Sequence, residues 1–99
     1  MKEELVVKKL IENNETISSM ESCTAGYFAT TLTNVDGSSS ILKYSAITYS
    51  NEFKIKMGVP KEIIDKYTVY SIETSASMAE EISKFSSSTY GVGITGQIG

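Results

Sequence analysis

Thr16-Ile17-Ser18-Ser19-Met20-Glu21-Ser22-Cys23-Thr24-Ala25-Gly26 is the stretch on which the fold turns. Residues 16–20 are rich in β-branched and small residues and lie between turn-like flanks, so they read as a short strand. The polar run Glu21-Ser22-Cys23-Thr24 comes at its carboxyl end. Ser22 or Thr24 stands where a cap would start a helix running through Val35, with Tyr27, Phe28, Thr31 and Leu32 as its apolar stripe. A strand that hands a polar turn to a helix is a basic unit of α/β domains.

Outward from this unit the chain keeps alternating. On the amino side, Val6 with Leu10 and Val7 with Ile11 fall four apart, opposite Glu3, Glu4 and Lys8, and predict a helix over residues 2–13; Asn13 and Asn14 suit its end. On the carboxyl side, Asp36-Gly37-Ser38-Ser39-Ser40 reads as a loop. Residues 41–49 read as a strand, and Ser50 or Asn51 caps a short helix through Met57. Pro60 suits the first position of another helix through Tyr67, because its missing N–H costs nothing there. Ser71 caps the longest helix, with Ile72, Ala76, Ala79, Ile82 and Phe85 in helical period, and Ser86-Ser87-Ser88 ends it. Tyr90, Val92 and Ile94 alternate as a strand leading into Thr95-Gly96-Gln97-Ile98-Gly99.

This order predicts a three-layer α/β/α sandwich with a small, mostly parallel sheet, its site in the loops at the carboxyl ends of the strands. No helix follows the last strand, so the sheet is expected either to be incomplete or to be finished by a partner, the bare edge favouring a homo-oligomer.

Composition narrows the function. Ninety-nine residues allow one domain, and a hydrophobic fraction of 40% with 21% charged residues is ordinary for a globule. No apolar run approaches the ~18 residues of a spanning helix, and the start lacks a secretion-like stretch, so the expectation is a cytoplasmic protein away from the membrane. One cysteine allows neither an intrachain disulfide nor a thiolate zinc site of the usual spacing, so no metal is expected. A net charge of -3 without a Lys/Arg cluster argues against nucleic acid and for a small-molecule substrate.

The chain has no histidine, which removes Ser-His-Asp and Cys-His chemistry. A serine activated by a lysine of lowered pKa remains open to it, with tyrosine as relay. Ser38 and Ser39 in the glycine-led loop, with Tyr49 and Lys54 flanking the next turn, form one such constellation; solvated serines and lysines are the bland alternative. Cys23 is a rival nucleophile or a small packing residue. Glu21 reads as a buried base, as a ligand to a sugar hydroxyl, or as a carboxylate capping the next helix. Ser22, Thr24 and Gly26 would hold a phosphate at that helix start, or cap it and no more. Thr95-Gly96 would supply donors to an oxyanion, or form an ordinary turn.

Taken in order, Glu21-Ser22-Cys23-Thr24-Ala25-Gly26, Gly37-Ser38-Ser39, Thr48-Tyr49-Ser50-Asn51 with Lys54, and Thr95-Gly96 resemble the C-terminal domain of competence/damage-inducible protein CinA. Stand-alone members of that family are nicotinamide-nucleotide amidohydrolases. The resemblance extends through residues 54–78, with Met57-Gly58-Val59, Ser71 and Met78-Ala79. It implies hydrolysis of the carboxamide of nicotinamide mononucleotide to nicotinate mononucleotide and ammonia, without a cofactor, in a homo-oligomer. Ser39 would attack, Lys54 would take its proton, and Tyr49 would hydrogen-bond between or beside them. Ser22 and Thr95 would bind substrate or stabilise the oxyanion, with Glu21, Thr24, Gly26, Ser38, Asn51 and Gly96 completing the substrate-binding set.

Three departures stand against the family pattern. Ala25 replaces a more frequent glycine, and Thr95-Gly96-Gln97-Ile98-Gly99 differs from the usual Thr-Gly-Ile-Ala-Gly-Pro. The family domain also continues through another strand, a helix and an arginine expected to meet the phosphate. On this reading residues 1–99 are a single domain without those last elements. The competing expectation is a truncated remnant that folds or assembles but does not catalyse. Ten positions, about 33 Å if fully extended, part Ser39 from Tyr49, so a non-strand stretch is expected within residues 40–44, or else the two meet across a subunit interface.

Overall fold

A computed structural model describes residues 2–97. Ile98 and Gly99, the end of the predicted Thr95–Gly99 turn, lie outside the described residues. The elements are α1 (Lys2–Asn13), β1 (Ile17–Glu21), α2 (Tyr27–Thr33), a 3-10 turn (Ser38–Ser40), β2 (Leu42–Ile47), α3 (Asn51–Lys56), α4 (Lys61–Tyr67), α5 (Ile72–Ser86) and β3 (Tyr90–Ile94). The strands form one three-stranded sheet in the order β2-β1-β3, parallel throughout.

β1 is the central strand, and all five of its residues are buried. Its side chains alternate between two helical layers. Ile17 packs with Val7 and Leu10 of α1 and Leu32 of α2. Met20 packs on the other side with Val59, Ile64 of α4, and Met78 and Ile82 of α5. These two cores on opposite faces give the predicted three-layer arrangement. The outer strands pair on one side only, leaving Tyr44, Ile47 and Tyr90 exposed. Among the described residues no helix is long and apolar enough to cross a membrane.

Local chemistry explains most of the boundaries. Ser50 and Ser71 accept from the backbone N–H groups of Phe53 and Thr74, the N-cap bonds that start α3 and α5. Ser87 ends α5 in the left-handed conformation. β3 lies unusually close to α5 because Gly91 and Gly93 face the helix: a Cβ would meet Ala79 O at 2.0 Å or Ser75 O at 2.2 Å. Ser75 Oγ uses the proximity to donate to Gly93 O at 2.6 Å.

Several expectations change. α2 is shorter than predicted and begins after Gly26, not at Ser22 or Thr24. Only Leu32 of its proposed stripe is buried, and Tyr27 stands in solvent. In α5 the buried positions are Thr74, Met78 and Ile82, while Ile72 and Phe85 at its ends stay exposed, Phe85 with its ring 5.5 Å from that of Tyr44 on β2. Pro60 sits at the N-cap of α4, one position earlier than expected, in an extended conformation its ring permits. The break in residues 40–44 falls at Ser40 and Ile41, where the 3-10 turn precedes β2.

Candidate active site

After β1 the chain turns to α2 on one face of the sheet, and after β2 it turns to α3, whose Ile55 packs on the other. Adjacent parallel strands whose connections diverge leave a crevice at their carboxyl ends, the usual place for a ligand in such sheets. A cavity of about 340 Å³ opens there, with Ser22, Cys23, Tyr49, Asn51, Lys54, Tyr70 and Gly96 in its walls.

Lys54, on α3, is only 1% exposed although it carries an amine. Its Nζ lies 3.1 Å from Ser22 Oγ, 2.7 Å from Thr48 O and 3.3 Å from Tyr49 O. No carboxylate is among these partners. Burial therefore pushes the amine below its ordinary pKa of 10.5, and only the nearby Cys23 thiol works the other way. The partner set satisfies both protonation states: an ammonium donates three bonds, and a neutral amine donates two to the carbonyls and accepts one from the serine hydroxyl. Ser22 is itself held rigidly, since its N–H donates to Ile94 O at 2.9 Å and extends the β1–β3 ladder by one residue.

Glu21 does different work. Its carboxylate, 1% exposed, turns away from the cavity and under the start of α2. It accepts from Thr24 Oγ1 at 2.7 Å, Phe28 N at 2.9 Å and Ala29 N at 3.0 Å. Burial raises its pKa, but the bonds from Thr24, Phe28, Ala29 and Gly26 together outweigh burial and hold the carboxyl below its ordinary 4.5. The chain thus supplies its own anion at the helix end where a phosphate was considered. The turn between Glu21 and α2 folds through Ala25 at φ 50° and Gly26 at φ 97°. Left-handed geometry explains why glycine suits the position that alanine occupies here.

The sequence matches the family described as the CinA C-terminal domain over residues 1–99. The chain belongs to that family. Among curated relatives, a competence-damage inducible protein of Clostridium novyi (strain NT) is 46% identical over 98 residues, which cover 98% of this chain and 24% of that protein. One from Clostridium botulinum (strain Langeland) is 45% identical over the same span, so this CinA domain corresponds to about a quarter of such relatives. Of solved structures, the competence/damage inducible protein CihA from Agrobacterium tumefaciens superposes with a TM-score of 0.77 at 29% identity, covering 89% of this chain and 56% of that one. A CinA superfamily protein from Escherichia coli gives a TM-score of 0.83 at 21% identity, over 87% of this chain and 51% of the other, which speaks for the fold.

Within one copy of this CinA domain the expected site residues divide into two groups. Ser22, Tyr49, Asn51, Lys54 and Gly96 meet at the cavity. Ser38 and Ser39 do not. The 3-10 turn that carries them precedes β2, and Lys54 follows it; six residues of strand at about 3.3 Å each put roughly 20 Å between the two ends. Ser38 is buried at the far end, with its hydroxyl donating to Thr33 O, and Ser39 is exposed there. The break after Ser40 redirects the chain but does not return it to the cavity, because β2 then runs the length of the sheet. The placing of Ser39 beside Lys54 is thereby corrected for a single chain: the serine that meets the amine is Ser22.

Three further roles shift. Thr24 and Gly26 belong to the Glu21 clamp, where a Cβ on Gly26 would press on Ile47 Cδ1 at 3.1 Å. Thr95 Oγ1 donates to Val69 O at 2.9 Å and ties two loops together. Tyr49 lines the cavity but is 73% exposed, and its carbonyl touches the amine. Tyr70 lines the cavity and went unnoticed in the sequence; its only signal there is a loop aromatic directly before the cap Ser71.

Proposed function

We propose that this CinA domain is a serine amidohydrolase that converts nicotinamide mononucleotide to nicotinate mononucleotide and ammonia, with Ser22 as nucleophile and Lys54 as its base. The supporting observation is the 3.1 Å contact between Ser22 Oγ and a buried amine that no carboxylate pairs. Neutral Lys54 takes the Ser22 proton as the oxygen attacks the carboxamide carbon. The resulting ammonium returns the proton to the departing nitrogen, ammonia leaves, and an ester to Ser22 remains. Lys54 then deprotonates a water that attacks the ester, and the carboxylate is released as Ser22 regains its proton. Thr48 O and Tyr49 O hold the amine in place throughout. The same reading keeps a homo-oligomer, since pairing across the β2 or β3 edge would cover Tyr44, Ile47 and Tyr90.

The test is ammonia release from nicotinamide mononucleotide by the wild-type chain and by Lys54→Met. A fall of at least about 100-fold is expected on removing the base. An unchanged rate would exclude Lys54, and no release from folded wild-type protein would favour a domain that binds without catalysing.

A further inference from the structure

We infer that two copies of this chain pair antiparallel through their β2 edges, and that the Ser38–Ser40 turn of each copy then walls the cavity of the other. The pairing rests on the hydrolase reading only for the cavity's role as the site, and it narrows the oligomer to one edge and one direction.

The two outer strands differ in what their free sides offer. On β3, Tyr90 N bonds Thr16 O and Ile94 O takes Ser22 N, so the polar groups of Gly93, between them, face away from β1. Its carbonyl there already accepts from Ser75 Oγ at 2.6 Å. On β2, Thr48 N bonds Glu21 O, so by the same alternation Ser45 and Ile47 turn their N–H and C=O groups to the free side. No strand among the described residues pairs with them there. Charged side chains commonly guard such an edge, but Lys43, the one charge on β2, has its amine turned onto Ser87 O at 3.1 Å.

Apolar surface follows the same edge. Tyr44, Ile47 and Tyr49 lie on β2 or just beyond it, and the Phe85 ring stands 5.5 Å from that of Tyr44. These four are between 42% and 73% exposed, which amounts to roughly 400 Å² at the usual area of such side chains. That is about half of the ~800 Å² each partner buries in a standard interface, with the strand backbone and the turn to supply the rest. A surface that matches itself calls for a two-fold axis, which closes after two copies and forces the paired strands antiparallel.

The direction decides what reaches the cavity. Paired about its middle, β2 of one copy brings its start against the end of the other. Ser39 then falls opposite Ser50 or Asn51 of its neighbour, across one strand spacing of about 4.8 Å. Tyr49 and Asn51 line the cavity, so the end at which Ser39 stands in one copy is the cavity end of the next. The turn acts as a wall and not as a reactant, because Lys54 already holds Ser22 at 3.1 Å.

The experiment has two arms on the full chain. Sedimentation across a concentration series should give a dimer, and Tyr44→Lys, at an exposed position, should weaken it at least about tenfold with an unchanged circular dichroism spectrum. In the second arm, on a Cys23→Ala background, chains carrying Ser39→Cys are mixed with chains carrying Asn51→Cys and treated with a short bis-maleimide. Covalent dimers should form in the mixture and hardly at all in either variant alone. Wild-type protein that stays monomeric overturns the pairing, and so does a dimer indifferent to Tyr44→Lys. Cross-linking of Ser39→Cys chains with one another points to parallel strands and overturns it equally. Both arms are read without turnover, so a dimer with the predicted cross-link upholds the pairing even if wild-type protein releases no ammonia, a result that counts against the hydrolase reading alone.

Discussion

The choice between Ser22 and Ser39 can be tested by two substitutions of the same size. Ser22→Ala deletes a hydroxyl 3.1 Å from the Lys54 amine. Ser39→Ala deletes an exposed one roughly 20 Å away, beyond the whole of β2. Proton transfer needs about 2.6–3.2 Å, so within one chain only the first serine is in reach of a base. Loss of a nucleophile costs at least ~10³ in rate, about 4 kcal/mol of transition-state stabilisation at 1.36 kcal/mol per tenfold. Loss of an exposed hydroxyl far from the chemistry should change kcat/KM less than twofold, about 0.4 kcal/mol. The assay is initial-rate ammonia release, with circular dichroism melts to confirm that both variants fold. The reasoning fails if Ser39→Ala is inactive and Ser22→Ala is active. The working serine would then come from another copy. Mixing Ser39→Ala with Lys54→Met chains would reveal that arrangement, because a shared site regains activity in mixed assemblies and a site within one chain does not.

Three further outcomes are expected. Because Lys54 must be neutral to act as base and burial lowers its pKa, kcat/KM should rise with pH and level off at a midpoint below 10.5; a midpoint at or above that value contradicts the buried-base reading. Between the depressed folded pKa and 10.5 the unfolded chain holds the extra proton, so folding stability gains with rising pH from this group, and Lys54→Met should remove that gain in melts across the range. Glu21 gives the same direction in an acid window: its lowered pKa contributes stability above 4.5 that is lost as pH falls through the folded value. Glu21→Gln should cost about 1–3 kcal/mol at neutral pH, measured by denaturant unfolding, and the deficit should shrink in acid; an undiminished deficit there would count against the carboxylate clamp. Gly93→Ala forces a methyl to within 2.2 Å of Ser75 O and should lower Tm by roughly 5 °C or more; an unchanged Tm would mean that α5 can move off β3 without cost.

Much of the fold was legible because it rests on short-range rules. The stop at Asn13, the caps Ser50 and Ser71 and the alternation of Tyr90, Val92 and Ile94 are all local signals, and each corresponds to an element boundary or a strand in the structure. The α2 start was not legible in this way. Its cap is a carboxylate seven and eight residues before the amides it bonds, reached through two left-handed residues rather than through the usual serine or threonine. The exposed ends of α5 were missed because helical period identifies an apolar face, but only the packing of neighbouring elements decides how much of that face is covered.

The composition alone required that any base be something other than imidazole, and the order of residue types set out a three-layer α/β domain with its polar turns after the strands. Which serine meets which lysine was settled only by the tertiary structure. β1 and β2 run parallel, so residues that follow each strand converge at one end and residues that precede them gather at the other. Ser22 and Lys54, 32 positions apart, thereby come within 3.1 Å, while Ser39 and Lys54, closer in sequence, are held apart by the strand between them.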